Sequence, residues 1–570
     1  SSRPDLAQFQ CNGPMAVAKA AGQKPRDVAA SVVEHLVAGR AGDGDGAADA
    51  EEVFAAVDVA GPGFINVSVT PGYLSSFLKR GPGAADLGLT RGAARPVVID
   101  FGGPNVAKPM HVGHLRSSII GDCLQRLFAF VGHETISDVH LGDWGLPMGQ
   151  LITEIARRQP GLAYFQDPLP ETFPDVSPVD LADLERLYPA ASRACKEDGA
   201  RLEEAREATA ALQAGHRGYR ALWRHFIEVS VAAMEREFAD LGVRFTLWRG
   251  ESDVNEAIPG LVARLKEAGL ARLDEGAVIV DVSEAGDKTD IPPLILLKSD
   301  GSMMYSTTDL ATVEARVGEF DPALILYVVD QRQHLHFTQV FRASERAGLT
   351  ERTVLEFIGF GTMNGTDGKP FKTREGGVMK LHDLIAMARE RASARLREAG
   401  IGEGMDETER ARIVEAVGLA AIKFADLSNP RLTNYVFDLD RFVAFEGKTG
   451  PYLLYAAVRI KSILRKAAEA GLEPSLEALD VHHEAEIALA LELASFPEAI
   501  ASAYDKRAPH ILCDFAYGLG QAFSRFYTEH SILKETEEGV RHARLALAAL
   551  TLRQLETTLG LLGMSVPERM

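Results

Sequence analysis

The sequence predicts an α/β protein in which a parallel-sheet core lies between a small N-terminal α/β unit and a C-terminal all-α bundle. Three observations lead there. Near residue 97 an apolar run, a Gly/Pro loop and a helical pattern follow one another, the order of one unit of a parallel sheet. From residue 407 to residue 570 the apolar spacing is almost wholly helical. Before residue 90, one helical pattern and two strand-like runs form a separate unit. With 570 residues, 46% hydrophobic and 25% charged, the chain has material for about three or four globular cores, which excludes fibrous and disordered classes.

In the N-terminal unit, Pro25 opens an amphipathic helix carrying Val28, Val32 and Leu36, and the Gly/Asp/Ala stretch 39–46 ends it. Strands are expected over 53–59 and 64–69, joined by Gly61-Pro62-Gly63, and Gly81-Pro82-Gly83 reads as a linker. The core begins at Pro96 with Val97-Val98-Ile99 and continues into a helix over 115–131. It takes further strands from the apolar runs 293–297 and 324–329, each followed by helix. Ser299-Asp300-Gly301 is a hairpin signal between two strand-like runs. A helix-rich insertion runs from about 150 to 292, and residues 357–377 are rich in glycine and carry basic side chains. The expected domains are 1–90, 91–406 with the insertion and a loop at 359–380, and 407–570.

The formal net charge of −19 argues against holding nucleic acid or membrane by bulk charge, while a local basic face stays open. Cys11, Cys123, Cys195 and Cys513 are far apart and form no zinc pattern. No metal site and no disulfide framework is therefore expected, and the thiols read as reduced and cytosolic. No uninterrupted apolar run approaches about 18 residues, so no transmembrane helix is expected. Ser1-Ser2-Arg3-Pro4-Asp5 lacks the apolar core of a secretory signal.

The most informative segment runs from Val98 to Arg116, centred on His111-Val112-Gly113-His114. A helix N-terminus after a strand presents unpaired N–H groups and a positive dipole end to a nucleotide phosphate. Two imidazoles within a turn of those donors add hydrogen bonds to triphosphate oxygens. Gly113 leaves room for the flat approach of an adenine ring. The competing reading is a pair of ordinary surface histidines near a turn; the place after a strand favours the phosphate site.

The block from Pro104 to Arg116, Pro-Asn-x-x-Lys-Pro-x-His-x-Gly-His-Leu-Arg, resembles class I aminoacyl-tRNA synthetases, and the arginyl-tRNA synthetase family in particular. The resemblance runs along essentially the whole chain. It takes in Gly142-Asp143-Trp144-Gly145, Tyr305 with Asp309, the run 327–337, Asp367-Gly368-Lys369-Pro370-Phe371-Lys372-Thr373-Arg374, Thr449-Gly450-Pro451-Tyr452-Leu453-Leu454-Tyr455 and the final Pro567-Glu568-Arg569-Met570. It implies a doubly wound, Rossmann-type catalytic core with ligands at the carboxyl ends of the strands. The flanking units would contact the tRNA corner at the N-terminus and the anticodon at the C-terminus. The implied activity joins L-arginine and ATP as arginyl-adenylate, with Mg²⁺ accompanying the triphosphate, and passes the arginyl group to the 3′ end of tRNA(Arg). A cytoplasmic monomer without a membrane partner is expected. Arginyl enzymes also need tRNA for the activation step itself.

The resemblance assigns the site residue by residue. His111 and His114 stabilise phosphate charge, because in-line displacement at the α-phosphorus by the arginine carboxylate needs no protein nucleophile. Lys369 and Lys372 stand where most class I enzymes carry Lys-Met-Ser-Lys-Ser. The Lys-Pro-Phe-Lys-Thr-Arg found here leaves open which of Lys369, Lys372 and Arg374 touches pyrophosphate, and Lys108 is credited with compensating. A solvated loop charge is the rival reading for each lysine. ATP would meet His111, Gly113, His114 and Lys372. A carboxylate matches a planar guanidinium bidentately, and Asp309, with the Tyr305 hydroxyl one turn earlier, is the leading partner. Asp100, Asn105 and Gln333 complete the arginine set, Asp100 being one methylene shorter than the family's more frequent Glu. A helix N-cap is the rival role for Asp309. His336 stays open between a structural and a nucleotide-facing place.

For tRNA, Tyr452, Tyr455 and Arg459 fall at i, i+3 and i+7 of one helix and share a face. Met570 matches a position near the anticodon loop, and Phe64 and Asn66 match contacts to the D-loop. Burial in the core is the rival for the tyrosines and for Phe64, while Phe523, Phe526 and Tyr527 read as core. Two other functions compete. Against a class I synthetase for another amino acid stand the Asp309/Tyr305 pair and the Pro-Asn-x-x-Lys block. Against a non-catalytic tRNA-binding paralogue stand intact His111, His114, Lys108 and Asp309.

Overall fold

The computed structural model describes residues 7–38, 53–89, 95–365, 368 and 379–570, without the side chains of residues 37 and 38. In the N-terminal unit, β1 (Phe9–Cys11) is followed by α1 (Gly13–Ala21), α2 (Pro25–Ala38), β2 (Phe54–Ala60), β3 (Phe64–Val69) and α3 (Pro71–Arg80). The strands form an antiparallel sheet in the order β1-β3-β2. Pro25 opens its helix as expected, but Val32 and Leu36 are exposed and Ala29 is the buried contact. The expected breaker at 39–46 lies outside the described residues. Gly81-Pro82-Gly83 is not a free linker. Arg553, far down the chain, donates to the carbonyls of Gly83 and Ala85 at 3.0 and 2.8 Å, which docks this segment on the C-terminal bundle.

The core opens with β4 (Val97–Phe101), α4 (Val112–Phe130), β5 (Thr135–Asp138) and α5 (Leu146–Arg158). The insertion supplies α6 (Leu181–Glu197), α7 (Gly199–Gln213), α8 (Arg217–Asp240), α9 (Ile258–Glu267), β6 (Ala271–Asp274) and β7 (Ala277–Val280). The chain returns through β8 (Leu294–Leu297), α10 (Tyr305–Phe320), β9 (Leu324–Asp330), α11 (His334–Arg346), β10 (Val354–Phe360), β11 (Met363–Asn364) and α12 (Leu381–Glu398). Strands β10, β9, β4 and β5 form one wholly parallel sheet in that order. The chain leaves β4 for β5 on one side and later adds β9 on the other, which makes the β4/β9 boundary the switch point where ligands bind. Val97, Ile99 and Phe101 enter one core, while Val98 joins Ile325 and Tyr327 in a second. Both faces of the sheet are therefore covered. A Cβ on Gly121 would meet the Phe101 ring at 2.1 Å, so glycine lets α4 lie directly on β4.

One expected strand belongs elsewhere. The run at 293–297 forms β8, which pairs antiparallel with β7 in a separate sheet β6-β7-β8. No helix separates β7 from β8, and without a crossover the strands cannot pair in parallel. Ser299-Asp300-Gly301 does turn the chain, with the Gly301 N–H on the Lys298 carbonyl at 2.9 Å, but a single bridge at Leu297–Met303 replaces the second strand.

The C-terminal unit is helical as expected: α13 (Glu407–Leu427), the short β12 (Tyr435–Val436), α14 (Leu439–Phe442), α15 (Gly450–Glu469), α16 (Glu484–Ala494), α17 (Phe496–Lys506), α18 (Pro509–Glu529) and α19 (Glu538–Leu561). Strand β12 pairs in parallel with β11, so this unit is stitched to the core. The apolar stretch Glu484–Lys506 comprises α16 and α17 of 11 residues each. Each is about 16 Å long, well short of the roughly 30 Å hydrocarbon layer.

Candidate active site

The carboxyl ends of β4 and β9 and the start of α4 enclose a cavity of about 440 Å³. Asp100, Gly102, Gly103, His111, Gly113, His114, Asp330, Gln333 and Gly361 border it. Five of the expected site residues are thus brought together at the switch point.

The two histidines build the helix start. His111 is the N-cap of α4, and its Nδ1 accepts the Gly113 N–H at 3.0 Å. His114 Nδ1 in turn accepts the His111 N–H at 3.1 Å. Acceptance at Nδ1 assigns the hydrogen of each neutral ring to Nε2. Neutrality is enforced by the surroundings. Burial, then Lys108, lowers the His111 pKa; burial, then His111, lowers that of His114 to about 3. Two neutral Nε2–H donors, on rings 4.1 Å apart, therefore belong to the cavity wall. A Cβ on Gly113 would lie 2.7 Å from the His111 ring, so the cap itself demands glycine.

Tyr305 is the first residue of α10 and Asp309 follows one turn later, inside the helix, so Asp309 is no N-cap. Its Oδ2 meets His336 Nε2 at 2.6 Å, and its Oδ1 lies 3.9 Å from His140 Nε2. His336 thereby has a definite neighbour, Asp309. Tyr305 is 64% exposed.

A further carboxylate, Glu251, was not marked by the sequence and is placed by Asp143. Asp143, within Gly142-Asp143-Trp144-Gly145, accepts the Ser252 N–H at 3.0 Å and the Ser252 hydroxyl at 2.6 Å. Trp144 Nε1 donates to Asn255 at 2.9 Å. These bonds fix the turn Glu251–Ala257 and hold Glu251 near Asp309 and Tyr305. Burial, then Asp143 and Asp309, raises the Glu251 pKa to about 8. Among the described residues no cation pairs with Glu251. No local pattern marks it, because Asp143, which positions it, lies far away in the chain. Asn105 reaches the same corner by backbone pairing with Gly142.

Asp100 also has a partner inside the fold. Its Oδ2 accepts from Arg316 at 2.7 Å, and the same Nη2 donates to Asp138 at 2.8 Å. Arg316 is buried. Asp100 is thus committed to an internal guanidinium, and its short side chain keeps it there. Burial raises its pKa against the pull of Arg316. At Asp138 burial opposes Arg316 and His140, which prevail and lower the pKa.

Lys108 lies 4.8 Å from the centre of the Tyr188 ring on α6. Lys369, Lys372 and Arg374 lie outside the described residues, but the segment after them is well placed. The Val112 N–H donates to the Met379 carbonyl and the Leu381 N–H to the Met110 carbonyl, both at 3.0 Å. Lys380 pairs with Glu185 of α6 at 2.7 Å.

On the C-terminal unit, Thr449 caps α15 by accepting the Tyr452 N–H at 3.2 Å. Tyr455 is 42% exposed, which removes the core reading for it. Arg459 is exposed, with its guanidinium 4.6 Å from the Tyr527 ring centre. Tyr527, expected in the core, is instead half-buried and carries this cation; Phe523 and Phe526 are core. Tyr452 is half-buried, edge-on to Tyr517 at 5.8 Å. Phe64 and Asn66 are half-buried on one face of β3, and Asn66 accepts from Gln10 at 2.9 Å. Met570 packs on the bundle core, and its neighbour Arg569 pairs with Glu409 of α13.

Three family descriptions match the chain in sequence. Residues 1–69 match the arginyl tRNA synthetase N terminal domain, 84–439 the class I (R) tRNA synthetase catalytic domain, and 453–570 the DALR anticodon binding domain. The arginine–tRNA ligase of Maricaulis maris is 53% identical over 569 residues, covering 100% of this chain and 94% of that one. That of Hyphomonas neptunium is 53% identical over 573 residues, with 100% and 95% covered. Among solved structures, the Plasmodium falciparum arginyl-tRNA synthetase superposes with a TM-score of 0.80 at 25% identity, covering 99% and 93% of the two chains. The Thermus thermophilus enzyme shares the fold with a TM-score of 0.76 at 23% identity, covering 98% and 93%.

Proposed function

The chain belongs to the arginyl-tRNA synthetase family, and from that premise we propose how its site divides the reaction among its residues. It is an arginine–tRNA ligase. L-Arginine and ATP give arginyl-adenylate and pyrophosphate, and the arginyl group then passes to the 3′ end of tRNA(Arg) with release of AMP.

The observation that carries the site assignment is the Asp309–Glu251 pair, where a half-buried carboxylate with a pKa near 8 has no described cation beside it. A guanidinium is planar, always charged and forks over two acceptors, so the substrate is the missing cation. Asp309 and Glu251 take its two edges, the Tyr305 hydroxyl adds a further polar contact, and Asn105 and Gln333 complete the arginine contacts. Asp100 supports this floor from beneath through Arg316 and Asp138.

ATP occupies the cavity between β4 and β9, with adenine against Gly113 and phosphates at the Nε2–H groups of His111 and His114. An arginine carboxylate oxygen attacks the α-phosphorus in line. The bond to pyrophosphate breaks, and its electron pair leaves with pyrophosphate. Neutral donors held in place stabilise the developing charge without surrendering a proton. Lys108, Lys369 and Lys372 supply positive charge to the outer phosphates. Mg²⁺ enters on the triphosphate. Among the described residues no group of three or more His, Cys, Asp or Glu side chains forms a cage for it, and no step here runs through it.

The domains are 1–90, with Phe64 and Asn66 toward the tRNA corner; 91–406, with the catalytic site; and 407–570, with Tyr452, Tyr455, Arg459 and Met570 toward the anticodon loop. In this reading the enzyme acts as a monomer in the cytoplasm. Charging of total tRNA with labelled arginine, with and without excess competing amino acids, tests this reading. Arginine incorporation should resist all of them; efficient displacement by another amino acid would overturn it.

A further inference from the structure

Between Pro104 and Pro109 the chain makes a tight turn that carries two of the residues assigned above, Asn105 and Lys108. The Lys108 N–H donates to the Asn105 carbonyl at 3.4 Å, and Ala107, the third residue of the turn, has a φ of 64°. That is the pattern of a type II turn, whose third position ordinarily belongs to glycine. An alanine there carries the cost of the left-handed conformation and has no polar side chain to ease it. A group outside the turn has to hold it.

That group is Ser230. The Ala107 N–H donates to Ser230 Oγ at 3.0 Å, and both residues are buried, so losing the hydroxyl would orphan the amide. Ser230 belongs to α8, in the insertion. Trp223 stands two turns earlier on the same helix face, and its Nε1 donates to the Asp143 carbonyl at 2.9 Å. Arg220 lies 4.6 Å from the centre of the Trp144 ring. One side of α8 thus grips the turn at Asp143 and the turn at Ala107 together.

Asn105 and Lys108 are secured differently. Asn105 pairs with Gly142; the Val106 N–H donates to the Gly142 carbonyl at 3.0 Å, and the Gly142 N–H to the Pro104 carbonyl at 3.1 Å. None of these bonds involves α8. Lys108 follows the left-handed residue directly, so its direction depends on the Ala107 backbone. Its ammonium stands 4.8 Å from the Tyr188 ring centre. Its charge also reaches both site histidines, where it adds to burial in lowering their pKa values.

We propose that Ser230 is a positioning residue for Lys108: its hydroxyl holds the Ala107 peptide in the left-handed conformation and so fixes the direction in which the turn presents the lysine to the outer phosphates. The proposal rests on the reading above that Lys108 supplies charge there.

The test uses the full chain carrying Ser230→Ala, Lys108→Ala or both, in arginine-dependent ATP–pyrophosphate exchange at saturating tRNA. Lys108→Ala should lower kcat by about 100-fold. Ser230→Ala should lower it by about tenfold, with arginine and ATP Kd values within about twofold of wild type, because Asn105 keeps its own bonds. The double variant should match Lys108→Ala within about twofold, since the serine acts through the lysine. A further tenfold loss in the double variant, or an unchanged kcat in Ser230→Ala, would overturn the proposal. Ala107→Gly supplies the second readout. Glycine takes the left-handed conformation without strain, so adding Ala107→Gly to Ser230→Ala should recover kcat by about threefold or more. General damage to α8 would not respond to that change, and absence of recovery would overturn the claim that the serine acts on the Ala107 backbone. Lys108→Ala alone tests the underlying reading: normal exchange by that variant would withdraw the lysine from the phosphates whatever Ser230 does.

Discussion

Arginine binding should expel a proton from Glu251. In the free enzyme this carboxyl has a pKa of about 8 because it is buried beside Asp143 and Asp309. At pH 7 it is therefore protonated in about nine molecules of ten. A guanidinium bound against it favours the carboxylate, so about 0.9 proton should leave per arginine at pH 7 and about 0.5 at pH 8. The sign follows: affinity rises with pH, by about fiftyfold between pH 6 and pH 8, and levels off above the free-state pKa. Folding of the free enzyme obeys the same raised pKa. Glu251 favours the folded state fully below its ordinary pKa of 4.5, and that advantage is lost as pH rises through 8. Calorimetric titration of arginine in buffers of different ionisation enthalpy counts the protons directly. Glu251→Gln is the control that isolates the carboxyl. That variant should release almost one proton fewer at pH 7. Equal release by both proteins, or none by the wild type, would refute the argument.

Other predictions concern single side chains. His114→Ala should lower arginyl-adenylate formation by about 10²–10³-fold in a folded protein, and near-normal activation by that variant would remove the histidines from the mechanism. Asp309→Asn keeps the shape and removes the charge, so arginine affinity should fall by about ten- to a hundredfold while ATP affinity holds; calorimetry of each ligand separates this from general damage. Tyr455→Ala should weaken tRNA binding without altering arginine binding, with a charging defect that higher tRNA concentration partly rescues. For both proteins the salt dependence of binding should be shallow, set by a few phosphate contacts rather than by the net charge, as filter binding across salt concentrations will report.

The parts of the fold legible in the sequence were those with strong local signals. Val97-Val98-Ile99 before a glycine loop marked β4, and Gly61-Pro62-Gly63 marked the turn between β2 and β3. The run 293–297 misled, because an apolar tetrapeptide looks alike in a parallel and an antiparallel sheet; only the missing crossover helix distinguishes them. The helix cap that forms the proposed phosphate site was readable for the same reason as β4, since His111, Gly113 and His114 lie within four residues and their bonds are local. The proposed arginine site was only partly marked in the sequence. Tyr305 and Asp309 lie on one helix at one-turn spacing, but Glu251 is placed by Asp143 through bonds across the fold, and no spacing encodes that. The partner of Asp100 was not legible, because Arg316 stands on α10 and becomes a neighbour only when that helix packs beside β4.

If two carboxylates read the charge of the substrate side chain, citrulline should expose it. Citrulline matches arginine in shape but carries a neutral ureido group. Charging of tRNA(Arg) should be measured as kcat/KM with arginine, citrulline and lysine. Charging should be robust with arginine and discriminated by about 10⁴-fold or more against citrulline, because binding it would leave the charge of Asp309 and Glu251 unpaired. Lysine should fare no better than citrulline. Charging of citrulline within tenfold of arginine would contradict the account.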